Sequence, residues 1–338
     1  MPKKVAVVGA GAWGTALAAH AARLEHDVRL WAREPEVARD VNDLAENRLF
    51  LEGVSLPKSL RASTDPKEAL AGAEIVILVP PSAFLRSVAS LVADHVPAGA
   101  RVVVASKGID QATLQLMTDV AAEGLNARAD DLSALSGPSF AREVASGLPT
   151  DVVVASRNAE AAADVAAALH SPMFRVYTSK DPIGVEIGGA MKNVLAIAAG
   201  VCDGLGLGTN ARAALVTRGL SEMARLGVAL GGDPLTFMGL SGVGDLILTS
   251  TGALSRNRSL GMKVAEGVDP AKYLASQRTV AEGYLTARAA YRLAQKLGVD
   301  APITEQVYHV LHEGRPLLEA MKMLLTRAQK DELWGIKG

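Results

Sequence analysis

Val5-Ala6-Val7-Val8-Gly9-Ala10-Gly11-Ala12-Trp13-Gly14 opens the chain and decides how the rest is read. The four apolar residues form an unbroken run, as in a parallel strand covered on both faces. Gly9, Gly11 and Gly14 follow in G-x-G-x-x-G spacing, and Thr15 to Leu24 reads as an alanine-rich helix. The three glycines serve different ends, namely a tight turn, close approach of backbone to a pyrophosphate, and close packing of helix on strand. Amides at the helix N-terminus would then face the phosphates, where the helix dipole favours negative charge. Glycine spacing alone is a weak signal. Here strand, turn and helix come in order and a second strand, Asp27 to Trp31, follows, so a dinucleotide site is the expectation.

Working outward, apolar runs alternate with helical patterns, the signature of a doubly wound parallel sheet. Strands are expected at Ile75–Val79, Val102–Ala105 and Leu132–Leu135, with Asp151–Ala155 and Phe174–Tyr177 as later, antiparallel additions. Helices are expected at Pro35–Asn47, Ser82–Asp94, Gln111–Glu123 and Asn158–His170. From about Lys180 the texture becomes helical throughout: Ile183 to about Val201, Ala211–Leu230, Val280–Leu297 and Thr304–His312. The fold class is therefore α/β, with a Rossmann-type domain over residues 1–180 and an all-helical domain over 181–338.

Composition excludes several classes. The 338 residues are 49% hydrophobic and 21% charged, with 35 Lys+Arg against 36 Asp+Glu, so nothing global recruits nucleic acid or an anionic membrane. A single cysteine, Cys202, allows neither an intramolecular disulfide nor a Cys-based zinc site. His309 and His312 share a helix but have no third ligand at matching spacing, so no metal is expected. Met1-Pro2-Lys3-Lys4 runs straight into the first strand without a signal peptide, and no apolar run approaches the ~20 residues that span a bilayer. A cytosolic chain is expected.

Chemistry gathers where strands end, because ligands of such sheets bind beyond their carboxyl ends. One strand stops at Pro80-Pro81, another at Ser106-Lys107-Gly108, and a third at Ser136-Gly137-Pro138-Ser139-Phe140, where Pro138 suits the first position of a new helix. After the second strand comes Arg33-Glu34. The guanidinium suits a 2′-phosphate, which favours NADP(H), while Glu34 keeps NAD open. In the helix from Ile183, Gly188, Gly189, Lys192, Ala196 and Ala199 share a face that is small apart from one amine. That face admits either a flat nicotinamide ring or a neighbouring helix. Ser255-Arg256-Asn257-Arg258 reads as an N-cap and a first turn carrying two arginines where the dipole prefers carboxylates, an arrangement that makes sense around an external anion. Asp245, in Gly242-Val243-Gly244-Asp245-Leu246, orients Lys192, binds substrate hydroxyls or caps a helix.

Together these pieces resemble the bacterial NAD(P)-dependent glycerol-3-phosphate dehydrogenases over nearly the whole length. The resemblance is carried by Gly9 to Gly14, Ser106-Lys107-Gly108, Ser136 to Phe140, Lys192-Asn193, Gly244-Asp245-Leu246, Ser255 to Arg258 and Glu282-Gly283. It implies a homodimer that reduces dihydroxyacetone phosphate to sn-glycerol 3-phosphate for phospholipid synthesis. Lys192 is implied as general acid/base, with Asn193 and Asp245 as catalytic partners that fix its orientation. Lys107, Gly137, Ser139, Lys192, Asp245, Ser255, Arg256 and Asn257 are implied to bind substrate. Gly9, Gly11, Ala12, Trp13, Gly14, Arg33, Lys107, Ala141, Arg256, Val280 and Glu282 are implied to contact NADP or NAD. Position 12 is alanine where many relatives carry Ser or Asn, leaving only a backbone contact there. A reductase of a non-phosphorylated oxo acid would share the glycine turn and Lys192 but have little use for cations at the Ser255 turn. A redox-sensing binding module would need no amine on the glycine face.

Overall fold

The computed structural model describes residues 1–277, 281–329 and 331–332. They form two compact units, one of residues 1–106 and 117–182, the other of residues 107–116 and the described residues from 183 onward.

The first unit alternates strand and helix from the start. It runs β1 (Lys4–Val8), α1 (Ala12–Arg23), β2 (Asp27–Trp31), α2 (Pro35–Leu44), β3 (Arg61–Ser63), α3 (Pro66–Leu70), β4 (Ile75–Leu78) and α4 (Leu85–Val92). It continues through β5 (Arg101–Val104), α5 (Met117–Leu125), β6 (Leu132–Ser136), α6 (Ala141–Ala145), β7 (Thr150–Ala155), α7 (Ala159–Leu169) and β8 (Phe174–Ser179). The eight strands make one sheet in the order β3-β2-β1-β4-β5-β6-β7-β8. The first six pair in parallel, β7 runs antiparallel to β6, and β8 is parallel to β7. That order puts β1 and β4 side by side at the point where the winding reverses, which is where such sheets bind nucleotides. The central strands are buried on both faces: Val5 to Val8 and Ile75 to Leu78 are each no more than 1% exposed.

Several expected boundaries shift, each for a local reason. The helix after the glycine turn begins at Ala12 rather than Thr15, so Trp13 and Gly14 lie in its first turn. α2 stops at Leu44 because Ala45 takes a left-handed conformation, φ 52°. The expected Gln111–Glu123 helix is replaced by α5 from Met117; residues 107–116 form a loop closed by an Ile109–Leu116 bridge, with Leu114 at φ 64°. Pro138 opens no helix: α6 starts at Ala141 with Phe140 as its N-cap. β3, with only three residues, left no pattern to find.

The second unit is helical: α8 (Pro182–Gly204), α9 (Gly208–Ala229), α10 (Asp245–Thr251), α11 (Arg256–Ala265), α12 (Pro270–Ala275), α13 (Glu282–Leu297), α14 (Pro302–Glu313) and α15 (Leu317–Leu325). α8 is its axis, buried from Gly184 to Gly200. Contrary to the sequence expectation, α8 has the length and composition to cross a membrane; it is a core helix here, with 94% of its most apolar window buried inside the protein. Glu222 of α9, 1% exposed, ties α9 to α14 by accepting from the Ile303 and Thr304 amides at 2.7 and 3.1 Å and from the Thr304 hydroxyl at 3.0 Å. Those are orphan donors at the start of a helix whose own N-cap, Ala301, has no side chain to offer. Residues 107–116 join this unit through their apolar ends, since Ile109 and Leu116 pack in the same core as Ile187 and Met191. Arg292 holds the Gln111 carbonyl at 2.7 Å.

Candidate active site

Two constellations emerge, one in each unit. In the first, Gly9 takes φ 116°, which a side chain rarely adopts, and its amide donates to Trp31 O at 3.1 Å. A Cβ on Gly14 would overlap the Gly9 carbonyl oxygen, so only glycine lets α1 sit this close to the turn. By contrast, a Cβ on Gly11 would meet nothing within 4 Å: this is the open side of the turn. α1 starts there with no side-chain cap and no acidic residue in its first turn. The Trp13 indole N–H is buried without a hydrogen-bond partner among the described residues. Uncapped amides, an open glycine and an orphaned buried donor fit a pyrophosphate-bearing dinucleotide.

At the end of β2, Arg33 donates through Nε and Nη2 to Glu34 Oε1 at 3.0 and 2.7 Å, so the two residues weighed separately in the sequence form a pair. Gly137 follows β6 at φ 132°, and Ser139 donates its hydroxyl to the Gly137 carbonyl at 2.9 Å. Ala141 begins α6, which packs along α1.

The second constellation centres on Asp245, whose carboxylate is fully buried. A one-turn π-helix at Leu240–Gly244 delivers it to the first position of α10, and such turns are frequent at functional sites. Lys107 Nζ donates to Oδ2 at 2.7 Å, and Lys192 Nζ donates to Oδ1. The Thr249 hydroxyl lies one helical turn on, 3.4 Å from Oδ1. One carboxylate thus holds two ammonium groups. Burial, opposed by Asp245 and assisted by Lys107, brings the Lys192 pKa down to about 7. The small face around Lys192 is accounted for in part by packing, since a Cβ on Gly188 would overlap the Ser241 carbonyl.

Asn193 does not reach for Lys192. Its Nδ2 donates to Gly189 O at 3.3 Å and its Oδ1 accepts from Asn257 Nδ2 at 2.8 Å; Asn257 Oδ1 in turn accepts from Gly283 N at 3.0 Å. This chain of amides fastens the Ser255 turn and the start of α13 beside Lys192. Ser255 caps α11 as expected, accepting from Arg258 N at 3.2 Å. The two arginines of the turn differ. Arg258 is held by Asp203 at 2.7 Å, alongside Arg212 at 2.9 Å, whereas Arg256 is exposed although surrounding protein lowers its pKa and Glu282 raises it. Glu282 is the first residue of α13; Val280 lies outside the described residues.

Sequence reasoning missed Thr249 and Asp203. Only Thr249 left a trace, four residues after Asp245 on the same helix face.

A Rossmann sheet with an open glycine turn and a buried lysine are features of the dinucleotide-dependent oxidoreductases. The family models for the N-terminus and C-terminus of NAD-dependent glycerol-3-phosphate dehydrogenase match residues 4–162 and 181–322. The chain belongs to that family. It is 52% identical to the glycerol-3-phosphate dehydrogenase [NAD(P)+] of Geobacter metallireducens, over 98% of this chain and 99% of the relative. Identity to the Geobacter sulfurreducens enzyme of the same name is 50%, over 99% and 100%. The crystal structure of glycerol-3-phosphate dehydrogenase from Coxiella burnetii superposes with a TM-score of 0.90 at 40% identity, covering 96% of this chain and 99% of that one.

Proposed function

We propose that this chain catalyses the reversible NAD(P)H-dependent reduction of dihydroxyacetone phosphate to sn-glycerol 3-phosphate, and that Lys192 handles the proton. The observation that carries the reading is the Lys107–Asp245–Lys192 arrangement. With Lys192 protonated the trio bears one net positive charge, suited to a ketone oxygen becoming an alkoxide. Once Lys192 has given up its proton, a neutral Lys107–Asp245 pair remains, which a buried site tolerates. A pKa of about 7 makes both states accessible at neutral pH.

When bound at the glycine turn, the nicotinamide cofactor supplies or accepts the hydride at the substrate's second carbon. The protein's own part is proton transfer, charge stabilisation and orientation. Arg256 and the first amides of α11 are assigned the substrate phosphate, since Arg258 is already taken by Asp203. Binding energy collected there positions the ketone at Lys192. Asn193 and Asn257 keep the Ser255 turn aligned with Lys192. Gly137 and Ser139 are assigned to the substrate, and Ala141, Val280 and Glu282 to the cofactor. The family relationship supports a cytoplasmic homodimer feeding glycerophospholipid synthesis, with residues 1–180 binding cofactor and 181–338 binding substrate and forming the dimer; sedimentation tests the dimer.

The direct test follows reduced-nicotinamide absorbance on addition of dihydroxyacetone phosphate. Arg256→Ala is expected to raise KM for dihydroxyacetone phosphate by about 100-fold, consistent with loss of a charge-assisted bond. Turnover of non-phosphorylated oxo acids at comparable kcat/KM would reject the phosphate assignment.

A further inference from the structure

The glycine turn is braced from behind by a residue far outside its motif. Asn47 is completely buried, in the loop that follows α2. Its Nδ2 donates to the Ala10 carbonyl at 2.9 Å and to the Thr15 hydroxyl at 2.7 Å. Thr15, also fully buried, donates its own hydroxyl to the same Ala10 oxygen at 3.2 Å. The other end of the amide is equally engaged, since Asn47 Oδ1 accepts from Phe50 N at 3.1 Å. The loop itself is pinned by a two-bond Arg48–Asp40 pair, both contacts at 2.9 Å, and by Leu49 and Phe50, which pack on the same core as Ala12 and Trp13.

The consequence follows from peptide geometry. In a planar trans peptide the C=O of one residue and the N–H of the next point in opposite directions. Holding the Ala10 oxygen inward with two donors therefore turns the Gly11 N–H outward, toward the side of the turn where a Cβ on Gly11 would meet nothing. We propose that Asn47, acting with Thr15 through the Ala10 carbonyl, is a positioning residue that presets the glycine turn for the dinucleotide pyrophosphate. The inference rests on the reading of that turn as the cofactor site. Because the pyrophosphate is common to NADH and NADPH, Asn47 sets affinity for both and discriminates between neither.

Asn47→Asp keeps the shape but replaces the donor by an acceptor; Thr15→Val removes the hydroxyl and Thr15→Ser retains it. Dissociation constants of NADH and NADPH for the purified full-length chain are measured by quenching of tryptophan fluorescence, alongside steady-state kinetics. Asn47→Asp is expected to weaken both cofactors by about tenfold or more, the effect of setting a buried carboxylate oxygen against the Ala10 carbonyl in place of a donor, and by the same factor for each. Its kcat at saturating cofactor and its KM for dihydroxyacetone phosphate should stay within about twofold of the parent. Thr15→Val should weaken both cofactors by a smaller factor, and Thr15→Ser should restore parental affinity. Should Asn47→Asp fail to fold, the Thr15 pair decides. Parental cofactor affinity in a folded Asn47→Asp chain overturns the inference, as does Thr15→Ser behaving like Thr15→Val or a loss of kcat with unchanged affinity. A parent chain that binds neither cofactor overturns the dinucleotide reading itself and this inference with it.

Discussion

The glycine turn and the Asp245 centre are built on opposite principles. The turn uses almost no side chains: Gly9 and Gly14 make room, the amides of α1 supply donors, and Asn47 with Thr15 fixes the peptide from behind. Its chemistry is that of a fixed dipole, whose charge does not change with pH. The Asp245 centre is three ionisable side chains in a space that resists charge, and its state depends on which proton is where. A binding function suits the first design and a proton-transfer function suits the second. Damage to the turn should therefore appear in cofactor affinity, and damage to Asp245 or its partners in rate and pH dependence.

Substitutions that break this division are the most informative. The largest expected effect is that of Lys192→Ala, which removes the group assigned to the proton and should lower kcat by about a thousandfold. Stopped-flow and steady-state assays with NADH or NADPH would show it, and cofactor affinity measured separately should hardly move. Next comes Gly14→Ala, whose methyl group would overlap the Gly9 carbonyl. It should weaken NAD(P)H binding by about tenfold and lower Tm, an overpacking cost of about 1–3 kcal/mol, with kcat at saturating cofactor nearly preserved. The smallest effect is expected from Glu34→Gln. Releasing Arg33 from the exposed pair should shift the ratio of NADPH to NADH kcat/KM toward NADPH by about two- to fivefold, because surface pairs are worth little.

The two regions also differ in how far the sequence reveals them. The turn lies within six consecutive residues of motif, and the strand before it and helix after it are equally local, so β1, α1 and β2 can be read directly. Likewise, Ser255 announces its helix by capping it. Asp245, Lys107 and Lys192 each stand out in the sequence, but their meeting on one carboxylate depends on bonds 53 and 138 residues apart, which no spacing encodes. Lys107 reaches the helical unit because Ile109 and Leu116 bury themselves there, and that same burial replaces the helix expected over Gln111–Glu123 with a loop. The fate of the two arginines is hidden for a similar reason. Arg256 and Arg258 are equivalent in sequence, and Asp203, 55 residues from Arg258, is what separates them. The sequence pattern makes Asn47 the end of a helix, since nothing in its neighbours signals the left-handed Ala45 that ends α2 early and sends the chain back toward the turn.

The measurement that bears most directly on the account is the pH dependence of kcat/KM for dihydroxyacetone phosphate reduction, in the parent chain and in Lys107→Met. Reduction needs Lys192 charged, so the rate should fall as pH rises past about 7, and oxidation of sn-glycerol 3-phosphate should rise through the same point. Lys107 is one of the groups holding that pKa down, so Lys107→Met should carry the limb upward by about one pH unit, whatever it does to the absolute rate. Asp245→Asn, which removes the group holding the pKa up, should move it the other way. A parental profile that is flat through neutrality, or a limb that stays in place in Lys107→Met, would contradict proton transfer by a lysine set by its two neighbours.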